Sequence, residues 1–398
     1  MPHISFCRDG GIVNRDYHAD KLGFYTVGDF RTYSKMEAIE LQKTTGIHLH
    51  WNFNDEEFES YDWTVEPPES LWELYTQRAW QIRNQYDYLV LNYSGGADSD
   101  MFCRVFLENN IPFEEMISCR FGDVDTDLVS LGNREVTEIA KPRAEAWLAQ
   151  GYKFKYRIID YGGYVVDAFK DPDWLDNWIY YFNNNYGLTR IARSMFRDRD
   201  RHYLDLFDRG IRVGFVNGMD KPRLYQHNGK YSLRFLDMVD NIVPVRCQMY
   251  RNPYCFDELF YWSPDAKDLL CKQGHVLMNF FKKKKELWRE FQNRSMYQEQ
   301  PFKHLAPEDI WKDSGNSVTI MKNSEIVHHL IYPGYRPQAF NFKSQISFYS
   351  IHDEVFRRHP DTRSVMSKGV EKLKSIDPYW IQDGDMKLCI SEPYYLEK

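Results

Sequence analysis

The chain has 398 residues, 43% of them hydrophobic and 16% aromatic, enough for a sizeable core in two or three domains. Its 51 Lys and Arg against 58 Asp and Glu leave a net charge of −7, which argues against a protein that coats nucleic acid through clustered cations. There is no run of about 18 apolar residues to cross a membrane, no basic-then-apolar leader in MPHISFCRDG, and no CxxC among the seven cysteines. Reduced thiols in a cytoplasmic globule are therefore expected.

Residues 1–86 read as a leading α+β region. Ser34-Lys35-Met36-Glu37 has the S-x-x-E form of a capping box and predicts a helix to about Thr45, ahead of Gly46. Ile47, Leu49, Trp51 and Phe53 then alternate with His48, His50, Asn52 and Asn54, the period of a strand with one buried face. His48 and His50 on the other face would suit a pair of zinc ligands, but no third ligand is local. Leu71, Leu74, Tyr75, Arg78, Ala79 and Ile82 mark one stripe of a helix.

Tyr88 to Tyr93 is a short, nearly continuous apolar run, as in a strand buried on both faces. It passes directly into Ser94-Gly95-Gly96-Ala97-Asp98-Ser99, and a helix follows through Met101, Phe102, Val105 and Phe106 to Asn109-Asn110. Further strands are predicted at Phe113–Cys119, Tyr156–Asp160 and Ile211–Asn217, with helices at 135–150, 174–184 and 189–208 between them. Pro142 would kink or break the first of these helices. The alternation predicts parallel β-α-β units with right-handed crossovers. Asn228-Gly229 predicts a hairpin turn between Leu224–Gln226 and Tyr231–Phe235. Loops and helices are expected over 246–398, including a helix at 264–284. It ends in Lys282–Lys285, charges that suit a helix C-terminus or a phosphate- or nucleic-acid-facing patch.

The chemistry lies in SGGADS. Adjacent glycines open backbone conformations closed to other residues and allow close approach to a ligand. The loop ends at a helix N-terminus, where unpaired N–H groups and the helix dipole attract phosphate. Ser94 and Ser99 add hydroxyls. A carboxylate at Asp98 would repel phosphate unless a cation intervened, which points to Mg²⁺ shared between Asp98 and phosphate oxygens. The bland alternative is a tight turn with a capping side chain. At the end of the fourth strand, Gly218-Met219-Asp220-Lys221-Pro222-Arg223 would share the same sheet edge, where open parallel sheets bind ligands. There Lys221 and Arg223 could neutralise phosphate charge, and Asp220 could hold Mg²⁺ or substrate. Neither G-x-x-x-x-G-K-[ST] nor G-x-G-x-x-G occurs.

The hexapeptide resembles the SGGxDS signature of the PP-loop ATP pyrophosphatase superfamily. That superfamily includes asparagine, NAD and GMP synthetases, tRNA-thiolating and lysidine synthases and the deazaguanine nitrile-forming enzyme, with PAPS reductases as distant relatives. The resemblance implies a doubly wound parallel sheet of order 3-2-1-4-5 covering about residues 87–245, with α+β N- and C-terminal additions, and cleavage of ATP between its α and β phosphates. It assigns Ser94, Gly95, Gly96, Ala97, Asp98 and Ser99 to pyrophosphate, with Asp98 on Mg²⁺. Asp123, in Phe121-Gly122-Asp123, falls where the superfamily contacts adenine or ribose. SKMEAIE, FND, NGMDKPRL and FYWSPD extend the likeness to uncharacterised members encoded by tailed bacteriophages, often labelled asparagine-synthase-like or PAPS-reductase-like; in such a case the host cytoplasm would be the location.

Departures from those members narrow the reaction. Pro2 stands where glutamine-dependent asparagine synthetases need a cysteine, so ammonia or a donor partner would supply nitrogen. No four-cysteine zinc cluster exists, and Cys389 lacks the setting of the PAPS reductase cysteine. The leading expectation is an ATP- and Mg²⁺-dependent enzyme that adenylates a carboxylate, amide or carbonyl oxygen of a small molecule, releasing pyrophosphate. The alternatives are a non-catalytic nucleotide-binding or structural viral protein, and a PP-loop enzyme modifying nucleic-acid bases or reducing PAPS-like substrates. Tyr261-Trp262-Ser263-Pro264-Asp265 with Lys272, Gln273 and His275 are candidates for a substrate wall.

Overall fold

The computed structural model of the chain describes residues 21–32, 34–120, 135–160, 196–218, 223–237, 252–292, 323–335, 371, 375, 381–382, 385–386 and 389–398. The leading region begins with β1 (Phe24–Val27), β2 (Phe30–Thr32) and α1 (Lys35–Thr45), then β3 (Leu49–Asn52) and the short α2 (Asp55–Glu59). Its strands pair antiparallel in the order β2-β1-β3. Leu49 and Trp51 point inward on β3 as the alternation predicts, but the strand starts two residues late and Ile47 is exposed. Ser34 caps α1 by accepting from the Glu37 N–H, whereas the Glu37 carboxyl turns to Thr32 and leaves the expected box half formed. A reciprocal box instead opens α3 (Leu71–Arg83), where Ser70 N–H donates to Glu73 Oε2 at 2.8 Å and Glu73 N–H to Ser70 Oγ at 3.3 Å.

The central sheet starts with β4 (Tyr88–Asn92), whose middle three residues are fully buried. It is followed by α4 (Ala97–Glu108), β5 (Glu115–Arg120), α5 (Lys141–Ala149) and β6 (Lys155–Asp160). Glu135–Ala140 is a wide π-helical turn that becomes α-helix at Lys141, one residue before Pro142, whose missing N–H cannot support an interior helical bond. Of the helix predicted over 189–208, the described part is a 3₁₀ turn at Phe196–Asp198 followed by α6 (Arg201–Asp208). Asp200 caps α6 by accepting from His202 N–H. The helix predicted over 174–184 lies outside the described residues.

Next come β7 (Val213–Asn217) and the hairpin β8 (Arg223–His227) and β9 (Lys230–Arg234). Asn228 and Gly229 both have positive φ, 51° and 77°, as a type I′ turn demands. The sheet is completed by β10 (Cys255–Leu259), a strand in the segment expected to hold only loops and helices and lying past residue 245. Its Asp257 and Glu258 conceal it in sequence, because adjacent carboxylates do not read as a buried strand. Each is buried and paired: Asp257 with Arg197 at 2.6 Å, and Glu258 with Arg78 at 3.0 Å and Lys21 at 3.4 Å. After a short turn, α7 (Lys267–Lys283) and α8 (Lys285–Gln292) follow, then α9 (Asn323–Ile331).

The spatial order is β6-β5-β4-β7-β10, and every pairing in this sheet is parallel. The α/β class and the parallel sheet flanked by helices are thus present. On one face, α3, α4, α5 and α7 bury Tyr75, Phe102, Phe106, Ala144 and Leu269 against Leu89, Leu91 and Val216. On the other, Tyr203 and Phe207 of α6 with Phe196 cover Val90, Ile117 and Phe215. The chain leaves β4 towards β5 and β6 on one side, while β7 and β10 lie on the other, so the direction of winding reverses between β4 and β7. The leading region is tied on by buried charges: Lys35 Nζ meets Asp237 Oδ2 at 2.5 Å, and Tyr25 Oη donates to the same oxygen at 2.7 Å. No helix of the described residues is long and apolar enough to cross a membrane.

Candidate functional site

The site is built where β4 ends. Gly95 turns the chain with φ +84°, and a Cβ there would meet Ala140 N at 3.1 Å, Ala140 Cβ at 3.2 Å and Glu135 O at 3.2 Å. Only glycine fits both the conformation and the space. Gly96 then occupies the N-cap of α4 without a capping side chain, so no side chain covers the first N–H groups of the helix from that position. The loop is braced from within. Ser94 N–H donates to Ser99 Oγ at 3.1 Å, the two hydroxyls are 3.0 Å apart, Gly96 N–H donates to Ser94 Oγ at 3.2 Å, and Ser99 Oγ donates to Gly96 O at 3.0 Å. Beside it, Arg143 from α5 pairs with Asp100 at 2.5 Å, and the Tyr93 ring packs at a tilt against Trp147. The serines therefore hold the loop shape as well as offering hydroxyls.

Asp98 sits in the first turn of α4, about a third exposed. Two elements that local sequence gives no reason to bring here close on it. Tyr332, after α9, donates its hydroxyl to Asp98 Oδ1 at 2.7 Å, although 234 residues separate them. His328 on α9 places Nε2 3.0 Å from the same oxygen and stacks on the Tyr332 ring at 5.1 Å. Tyr261, whose ring lies 5.3 Å from that of Tyr332, donates to the Asp98 backbone carbonyl at 2.6 Å. Burial, and then the Asp98 charge, push the Tyr332 phenol well above its usual range. The Tyr261 phenol is raised likewise by burial first, with Tyr75 and Asp98 adding to it. Both phenols remain neutral donors. Gln273 and Tyr75 continue the support, with Tyr75 Oη donating to Ile331 O at 2.8 Å.

Gly218 reaches the loop from the neighbouring strand. A Cβ there would lie 3.0 Å from the Phe102 ring and 3.1 Å from the Asp98 carbonyl carbon, so the end of β7 is packed directly on the start of α4. The structure thus brings Ser94, Gly95, Gly96, Ala97, Asp98, Ser99 and Gly218 together at the reversal of winding. Arg223 opens β8 with an exposed side chain, across the hairpin from Arg234. Asp220, Lys221 and Asp123 lie outside the described residues. Among the described residues, no group of three His, Cys, Asp or Glu side chains could hold a metal. A cation at Asp98 would need further oxygens, as Mg²⁺ does when it is shared between one or two carboxylates and a ligand's phosphates.

Other candidates take structural roles. His50 Nε2 pairs with Asp55 at 3.0 Å, and that hydrogen bond chiefly raises its pKa. In the supposed substrate wall Tyr261 bonds the loop through the Asp98 carbonyl. Trp262 packs with Phe58 and Phe235, Ser263 caps the next turn, and Asp265 pairs with Lys21 at 2.7 Å. Lys272 pairs with Glu66, Gln273 donates to Tyr75, and His275 bonds the Trp63 carbonyl. Lys282 of the basic run pairs with Glu397 at 2.6 Å. The Cys389 N–H donates to Asp237. No family model, no curated protein and no solved structure matches this chain.

Proposed function

We propose that the chain is a Mg²⁺-dependent ATP pyrophosphatase of the PP-loop type, which transfers AMP to a carboxylate, amide or carbonyl oxygen of a small molecule and releases pyrophosphate. The observation that carries this reading is the side-chain-free Gly95–Gly96 turn at the N-terminus of α4 with Asp98 beside it. Support comes also from the sheet. Numbered along the chain, its strands lie third-second-first-fourth-fifth, and the loop stands at the reversal of winding, where open α/β sheets take ligands.

In this reading the N–H groups at the start of α4, which Gly96 leaves without a capping side chain, and the Ser94 and Ser99 hydroxyls bind the β and γ phosphates. Asp98 would hold the cation, which would supply positive charge to the departing pyrophosphate. Tyr332 and His328 fix the Asp98 carboxylate by its Oδ1. Lys221 and Arg223 are assigned to phosphate charge and Asp220 to the cation or substrate. Positioning and charge stabilisation dominate the step, with little acid–base work. A nucleophile, ammonia among the candidates, would then displace AMP.

Incubation with ATP–Mg²⁺ and a metabolite extract should yield AMP and pyrophosphate. Asp98→Asn and Lys221→Ala should each slow release by about 100-fold, equivalent to ~2.7 kcal/mol. ADP and phosphate as products, or unchanged release in both variants, sinks the reading. Tight nucleotide binding with no turnover in any extract would leave a nucleotide-binding protein.

A further inference from the structure

On the sheet face opposite α4, four polar side chains form a one-way relay beneath the loop. Val90 and Phe215 point to that face, so Asn92 and Asn217, two residues further along β4 and β7, do the same at the carboxyl ends of these strands. Arg197, buried, donates from Nη1 to Asp257 Oδ1 at 2.6 Å. Asn217 Nδ2 donates to the same carboxylate oxygen at 3.3 Å and to Phe215 O at 3.1 Å. Asn92 Nδ2 donates in turn to Asn217 Oδ1 at 3.0 Å and to Val216 O at 3.1 Å.

The chemistry leaves one arrangement. A carboxylate and a backbone carbonyl only accept, so the Asn217 amide nitrogen must face Asp257 and its oxygen must face Asn92. The Asn92 nitrogen must then face Asn217 and the Val216 carbonyl, and Asn92 Oδ1 is turned the other way. That oxygen accepts no hydrogen bond from the described residues, and it is not among the buried polar atoms without a partner. Asn92 is only partly buried, so this is an oriented acceptor at the reversal of winding, two residues before Ser94. Asp257 Oδ2, buried and without a partner, keeps the carboxylate incompletely satisfied and its pull on the relay strong. Gly218 closes the α4 side of the same junction, where a Cβ would lie within 3.1 Å of Phe102 and Asp98.

We propose that Asn92 is a specificity-determining residue for the nucleoside, accepting a hydrogen bond from an N–H or O–H donor of the ligand whose phosphates the SGGADS loop holds. The inference rests on the nucleotide reading above. ATP offers such donors in the adenine amino group and the two ribose hydroxyls, and a guanine carbonyl at the same place would be refused.

Calorimetric binding of ATP, N6,N6-dimethyl-ATP, 2′-deoxy-ATP and 3′-deoxy-ATP with Mg²⁺ separates the sources. Wild-type protein should bind one analogue about tenfold more weakly than ATP, the ~1.4 kcal/mol of one hydrogen bond. In Asn92→Ala and Asn92→Ser that penalty should shrink to about twofold or less. Loss with the dimethyl analogue identifies the base, and loss with a deoxy analogue the ribose. If wild-type protein binds all four ligands alike, Asn92 has no such role, and this arm needs no variant to fold. A penalty that persists in both variants also overturns the inference. Wild-type protein that fails to bind ATP at all refutes the nucleotide reading and the inference together, a result distinct from either of those.

Discussion

Replacing Arg78 with Met tests how the sheet is tied to the helical layer above it. Arg78 is 1% exposed on α3; its Nη2 donates to Glu258 Oε2 at 3.0 Å and Leu259 O at 2.9 Å, and its Nε to Phe260 O at 3.3 Å. Methionine keeps the aliphatic stem and removes every donor. Glu258, also 1% exposed, would retain Lys21 at 3.4 Å and the Tyr86 hydroxyl at 2.5 Å. Removal of one partner from a buried pair costs about 3–5 kcal/mol. Lys21 and Tyr86, which remain, together with an Arg78 Nη1 that has no partner to lose, place the expected loss near the lower end, about 3 kcal/mol. Urea unfolding followed by tryptophan fluorescence measures it. Adding Glu258→Gln removes the stranded charge, so the double variant should be less destabilised than the sum of the singles by about 1–2 kcal/mol. A loss below ~1 kcal/mol for Arg78→Met, or strict additivity, would refute the view that this pair clamps β10.

Gly95→Ala puts a methyl group into positive-φ backbone and within 3.2 Å of Ala140, so ATP affinity should fall at least about tenfold; unchanged affinity would show that the ligand does not need this turn. Tyr332→Phe removes one donor from Asp98 and should destabilise by about 1–2 kcal/mol, an effect that disappears in an Asp98→Ala background; persistence there would place its origin elsewhere. Burial pushes the Cys271 thiol up to about 12, with the Trp63 and Val65 carbonyls close to its sulfur, so native protein at pH 8 should leave Cys271 unalkylated by iodoacetamide while unfolded protein labels it. Because that pKa is raised above the unfolded value, the stability it confers is complete below about pH 8.5 and is lost as pH rises through 12. Alkaline unfolding that begins later in Cys271→Ala than in wild type would agree; an earlier onset would not.

The loop, the helix after it and the strand before it were readable because each carries a local signature: an apolar run, paired glycines and a 3.6-residue stripe. The Asn-Gly hairpin was readable for the same reason. What escaped was everything set by partners far along the chain. β10 hides behind Asp257 and Glu258, whose burial makes sense only once Arg197, Arg78 and Lys21 are in place. Nothing in the apolar run around Asn92 tells which way its amide faces; that is set by Asn217 and Asp257. Ser70 and Glu73 carry the S-x-x-E pattern as plainly as Ser34 and Glu37, yet only the former pair closes both bonds, because Thr32 draws the Glu37 carboxyl away. No local pattern could have sent Tyr332 and His328 to Asp98.

The neighbouring carboxylates of β10 have a consequence for how the sheet finds its register. A strand that is apolar on both faces carries no inside-or-outside code, so sliding it one residue along its neighbour costs little in burial alone. In β10 the code is written in charge. Asp257 faces the layer holding Arg197 and Glu258 the layer holding Arg78 and Lys21, so a one-residue slip would turn both carboxylates away from their cations at once. Alignment of β10 with β7 is thereby enforced from both sides of the sheet, and with it the place of Asp257 at the root of the amide relay under the loop.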